Sequence, residues 1–141
     1  MDAMENKSTH LQMLQAVITR MGGNSFLLKG WSVTLVSALF ALAADRANAS
    51  FAYLAVMPVL MFWALDGYFL RQERLFRKLF DLVRALPPEN IDFSMNTAPV
   101  AHEVVGWLRV CFSRTLFPFH FILLATVAAV SLVVKWGHVG P

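Results

Sequence analysis

Cysteine is nearly absent: Cys111 is the single one among 141 residues. That excludes an intramolecular disulfide and any cysteine-based zinc site, and leaves the thiol the default role of a small buried apolar group. Charge is scarce as well, at 15% of residues against about 25% in ordinary soluble domains, while 57% are hydrophobic. A soluble fold of this size has too little interior to hide so much apolar surface. Catalytic signatures are also missing, with no Gly-rich phosphate loop, no nucleophile elbow and no paired-histidine metal motif. His10, His102, His120 and His138 are dispersed, and His102 and Glu103, adjacent on an expected helix, point to different faces. The chain therefore reads as a non-enzyme with no cofactor and no metal. No aromatic-and-basic pattern suggests a nucleic-acid partner.

What the sequence does contain is long apolar runs between clustered charges. Gly30 to Ala44 carries no charge, and Phe26-Leu27-Leu28 extends that run behind Lys29. A second run spans Ala47 to Leu65 and resumes after Asp66 to Leu70; a third spans Thr115 to Val134, with only His120 able to titrate. A helix rises 1.5 Å per residue, so about 20 residues cross a hydrocarbon core of roughly 30 Å. The second and third runs meet that length, and the first does so with Lys29 near the interface and its ammonium reaching outward. The expected fold class is all-α and integral to the membrane: three transmembrane helices plus amphipathic cytoplasmic helices. Ala41-Leu42-Ala43 and Ala47-Asn48-Ala49 look like signal-peptide cleavage sites. About 29 residues precede the uncharged run, however, so an uncleaved helix is expected.

Lys7, Arg20 and Lys29 precede the first span, and Arg46 alone, beside Asp45, separates the first two. Arg71, Arg74, Arg77, Lys78, Arg84, Arg109 and Arg114 crowd the second connection, and Lys135 alone follows the third uncharged run. The positive-inside rule puts the N-terminus and the second connection in the cytoplasm and the C-terminus outside. The expected segments are a cytoplasmic amphipathic helix in 1–25, a transmembrane hairpin over 26–70, a cytoplasmic helical connection over 71–115, a third span over 116–136 and a tail over 137–141.

Leu11, Leu14, Ile18 and Met21 recur at helical spacing. Thr9 with Gln12 suggests a capping box, and Gly22-Gly23-Asn24 an end to that helix. From Arg71 the second span is expected to continue as a helix. Leu75, Phe76, Leu79, Leu82, Val83 and Leu86 lie on one face, and the basic residues Arg71, Arg74, Arg77, Lys78 and Arg84 gather opposite, until Pro87-Pro88 ends it. This helix is expected either to lie against lipid headgroups or to form a partner interface. A further helix is expected from Pro99, capped by Thr97 and carrying Val100, Val104, Trp107, Leu108, Cys111 and Phe112. Phe117-Pro118 opens the third span.

Polar residues inside the spans are the informative ones. The first connection is short, which predicts a tight antiparallel hairpin, and placing Ala44 level with Phe51 puts Asp66 level with Lys29. His120 enters the third helix at similar depth. The expectation is a Lys29–Asp66 ion pair with His120 nearby, against the alternative that each side chain reaches separately for the headgroups. Gly30, Thr34, Ser37, Ala41 and Ala44 make a small-residue stripe on the first helix, with Ala125, Ala128 and Ala129 similar on the third. Close helix packing is the default reading, and a pore lining by Thr34 and Ser37 the alternative, which needs several copies. Pro58 is expected to kink the second helix.

The strings Asn24-Ser25-Phe26-Leu27-Leu28-Lys29-Gly30-Trp31 and Asp66-Gly67-Tyr68-Phe69-Leu70-Arg71-Gln72-Glu73-Arg74-Leu75-Phe76-Arg77, followed by Asp92-Phe93-Ser94-Met95, resemble a widespread group of small bacterial inner-membrane proteins associated with anti-phage defence. The resemblance implies no catalytic residue. The layout is also similar to that of small effectors that disrupt bacterial membranes. It implies an oligomeric inner-membrane protein acting as a channel or pore-type effector, partnered by the lipid bilayer and by copies of itself. The alternative is a membrane-anchored scaffold or regulatory subunit that recruits a soluble cytoplasmic protein through residues 71–114.

Overall fold

The structure, a computed structural model, describes residues 2–46 and 48–137; the tail beyond Gly137 lies outside it. α1 runs from Ala3 to Arg46 as one helix of 44 residues. Asn48 turns the chain, its side chain accepting the Ser50 N–H at 2.9 Å to cap the short α2, Ala49–Leu54. α3, Val56–Ala85, returns antiparallel along α1. Two 3₁₀ turns, Pro88–Asn90 and Ala98–Glu103, and the short α4, Trp107–Cys111, then lead to α5, Phe117–Trp136. No strand occurs among the described residues, and three helical stretches are long and apolar enough to cross a membrane: Ala3–Asp45, Ser50–Ala85 and Phe117–Trp136.

Several local expectations are corrected. Gly22-Gly23-Asn24 does not end a separate N-terminal helix; α1 continues through it. Glycine costs a helix only about 1 kcal/mol relative to alanine and blocks no hydrogen bond, so a packed neighbour can override it. That neighbour is α3: Glu73 lies against Gly22 at ordinary contact distance for an added Cβ. The second helix is interrupted at Ala55, between α2 and α3, one turn before Pro58, where the kink expected from that proline would centre. Leu54 supplies the carbonyl that the Pro58 nitrogen would have bonded in an unbroken helix, and the chain loosens there. Pro87 and Pro88 follow directly on the end of α3, as expected.

The long helix expected from Pro99 through Phe112 is also absent. A 3₁₀ turn gives way at Val104 to extended backbone, and α4 is only one turn long. Thr97 makes no capping bond; Asn96 accepts the Ala98 N–H instead, at 3.0 Å. It closes a run of such turns, in which Asp92 accepts from Ser94 and Ser94 from Asn96.

Two apolar clusters hold the hairpin. Toward the arginine-rich end Leu14, Leu79, Val83 and Val100 are buried together, covered by Leu11, Phe76, Phe80, Ile91 and Met95. Toward the other end Val36, Ala55, Val59 and Val127 join α1, α3 and α5. Between the ends the molecule is apolar outside and polar inside. Phe26, Trp31, Met57, Ile122 and Val133 face outward, whereas Ser25, Ser32, Asp66, His120 and Ser131 are buried. Ser32 and Ser131 donate back to their own helix at Leu28 and Val127. A surface of this kind matches hydrocarbon surroundings and is compatible with a multi-pass membrane protein.

Lys7 closes the hairpin at the arginine-rich end. Its ammonium donates to the Arg84 and Leu86 carbonyls, both at 2.8 Å, at the point where α3 runs out of internal donors. Lys7→Met is expected to cost about 1 kcal/mol and to speed limited proteolysis across residues 86–97. An unchanged cleavage rate would show that the cap does not hold this end.

Candidate functional site: a buried carboxylate at the base of the spans

The candidate site is built from one residue on each of three helices, plus a serine. Asp66 lies about a third of the way along α3 with no exposed surface. Lys29 on α1 donates to Asp66 Oδ2 at 2.5 Å, and His120 on α5 donates through Nε2 to the same oxygen at 3.0 Å. Ser25, one turn before Lys29, donates to Asp66 Oδ1 and accepts from the Lys29 ammonium at 2.9 Å. The structure thus brings together all three residues expected from sequence and adds Ser25, giving both carboxylate oxygens donors. The Trp63 indole stacks on the His120 ring, 5.6 Å between centroids and 10° from parallel.

With neutral His120 the cluster carries no net charge, which suits its surroundings. A lone ion in low dielectric costs several kcal/mol, whereas an ion pair with further hydrogen bonds recovers much of that. His120 Nδ1 is buried without a hydrogen-bond partner. No third carboxylate, thiol or imidazole completes a metal-binding group among the described residues. Chemically, the cluster can cross-brace three helices.

Beside it, α4 is pinned to α3 by two reciprocal indoles. Trp63 donates to the Cys111 carbonyl at 2.9 Å, and Trp107 donates to the Ala64 carbonyl at 3.0 Å. Gly67 lies between them, where any Cβ would overlap Cys111 Sγ and approach Trp107 Nε1 to 3.2 Å. Burial pushes the Cys111 thiol above its ordinary range, so it is a packing group there.

The other expected sites are placed differently. Gly30, Thr34, Ser37, Ala41 and Ala44 do not pack inside the chain; all five face outward, as do Ala125, Ala128 and Ala129. The inward stripe of α1 is Ser25, Ser32, Val36 and Ala43, on the opposite side of the helix. The Thr34 hydroxyl donates to the Gly30 carbonyl at 2.9 Å. The basic face is partly neutralised: Arg77 pairs with Glu73 at 2.7 Å, Lys78 with Glu103 at 3.1 Å and Arg84 with Asp81 at 3.5 Å. Arg71 donates through Nε to the Val105 carbonyl at 3.3 Å.

Cys111 is buried, as expected, but the roles of Ser25, Trp63 and Gly67 and the contact of Trp107 and Cys111 with α3 are not legible as a site in the sequence. Ser25 was legible in principle, since it stands one turn before Lys29 once the helix is carried through Gly22-Gly23-Asn24. The other four meet only where α4 folds back on α3, and no periodicity announces that contact. No family model, curated protein or solved structure was found to match this chain.

Proposed function

We propose that the chain is an oligomeric membrane protein of the channel or pore-effector type, set in a bacterial inner membrane with its arginine-rich end in the cytoplasm. The observation that carries this reading is the outward stripe Gly30, Thr34, Ser37 and Ala41. Small residues let helix backbones approach closely, and this chain uses none of these positions for its own packing. Its interior is filled by Val36, Val59 and Val127 on one level and by the Asp66 cluster on another, so one copy offers no water path. Conduction therefore requires several copies, with Thr34 and Ser37 the polar groups available to a shared lumen. The Asp66 cluster would keep each three-helix unit rigid while units move against one another.

The scaffold reading is less supported. Much of 71–114 is engaged by its own hairpin, through buried Leu75, Leu79, Val83, Val100, Val110 and Cys111. The deciding measurements are the mass of the detergent-solubilised particle by light scattering and dye release from liposomes containing the protein. Several copies per particle and leakage are expected, both lost in Ser37→Leu with Gly30→Leu. A monomer that leaks nothing removes the proposal.

A further inference from the structure

The basic residues differ in depth as well as in pairing. α5 is 20 residues long, about 30 Å, which spans a hydrocarbon core from Phe117 to Trp136. His120 is then about 4.5 Å inside one boundary, and Asp66, which it touches, is at that depth. Counting along α3 from Asp66, Arg71 falls about 3 Å outside the boundary and Arg74 about 7.5 Å outside. The headgroup layer is about 5–7.5 Å deep on each side, so on the membrane placement proposed above both residues start from within it. Arg77, Lys78 and Arg84 lie deeper in water, and these are the ones with carboxylate partners. Arg71 and Arg74 have none among the described residues.

Arg74 lines a groove with Arg77, Lys78 and Asp81, whose other wall is Glu103, Val104 and Val105. Arg71, one turn before Arg74, borders the end of it nearest the spans through its bond to the Val105 carbonyl. The two carboxylates of the lining are taken up by Lys78 and Arg84. Val105 is exposed on that wall, and Leu108 and Phe112, on the α4 stretch that follows, are about two-thirds exposed. A phosphate with an acyl chain beneath it meets that pattern: guanidiniums above, bare apolar side chains toward the hydrocarbon. An acidic peptide would leave Leu108 and Phe112 uncovered.

We propose that the end of this groove between Arg71 and Arg74 is a discrete site for an anionic phospholipid, whose phosphate is clamped by the two guanidiniums. The test uses the full chain in mixed micelles with equal amounts of phosphatidylglycerol and phosphatidylcholine, reading retained lipid by native mass spectrometry. Wild type is expected to retain phosphatidylglycerol preferentially. Arg74→Gln should weaken that retention about five-fold, and Arg71→Gln with Arg74→Gln about twenty-fold or more. Arg84→Gln, far from the membrane, should leave it unchanged. Arg74 makes no hydrogen bond or ion pair among the described residues, so its single variant keeps the test readable if the double variant does not fold. Equal retention of the two lipids by wild type would overturn the site, as would equal losses in Arg84→Gln and Arg74→Gln. Displacement of the lipid by equimolar inorganic phosphate would overturn the lipid assignment and leave a soluble phosphate ligand.

Discussion

Lys29→Met is expected to destabilise the folded protein by about 3–5 kcal/mol, the largest effect of any single substitution considered for this chain. The reason is what stays behind. Asp66 has no exposed surface, and without the ammonium it keeps only Ser25 and His120 as donors. A carboxylate in that position is then a buried charge without a compensating cation, which costs several kcal/mol. Adding Asp66→Asn removes the stranded charge, so the double variant should be markedly more stable than the sum of the two single losses. The measurement is unfolding in mixed micelles titrated with a denaturing detergent, followed by helical circular dichroism, for wild type, both singles and the double. Strict additivity would mean that the two side chains act independently, whatever their separation. The coupling expected is on the order of 1–3 kcal/mol.

Gly67→Ala is expected to cost about 1–3 kcal/mol, although alanine is the better helix former by roughly 1 kcal/mol. The substitution is set in the interior of α3, where propensity alone predicts a gain. Packing reverses the sign. The new methyl group would overlap Cys111 Sγ, press on Trp107 Nε1 and touch Cys111 Cβ, and the thiol is buried. Nor can α4 retreat without lengthening the indole bonds from Trp63 to Cys111 and from Trp107 to Ala64. Cys111→Ala should therefore rescue: Gly67→Ala in that background should be close to neutral. The same unfolding assay decides it, with tryptophan fluorescence reporting whether the elbow has opened. A stabilised Gly67→Ala single variant would show that α4 is held too loosely to resist.

Much of the architecture could be read without coordinates because the length of the apolar runs imposes it. A run of about 20 apolar residues has few options other than a membrane-length helix, since every backbone polar group must find its partner within the segment. The level of Lys29 with Asp66 followed from the same constraint: a short connection forces antiparallel neighbours, and equal rise per residue does the rest. His120 was found because a titratable group in an otherwise apolar run stands out. The helix end at Pro87 was legible because proline acts locally.

The errors arose where a weak local signal met a strong neighbour. Gly22-Gly23-Asn24 resembles a helix stop, but its propensity cost is small beside the packing of α3 along α1. Ending the helix there also hid Ser25, since only an unbroken helix sets it one turn from Lys29 on the same face. The stripe of Gly30, Thr34, Ser37 and Ala41 is real as a pattern, but periodicity does not say which side of a helix is inside. In water the apolar side would decide; in a span with apolar residues nearly all round, it does not.

The sequence by itself determined three apolar spans, the register of the first hairpin and the concentration of positive charge at one end, because each follows from helix rise, hydrocarbon thickness and the cost of burying charge. Only the tertiary structure decided which face of α1 is inward, that Ser25 completes the shell around Asp66, and that Trp63, Gly67, Trp107 and Cys111 lock α4 to α3. These depend on contacts between residues tens of positions apart, where fit between particular side chains selects one arrangement among several that hydrophobic pattern alone would permit.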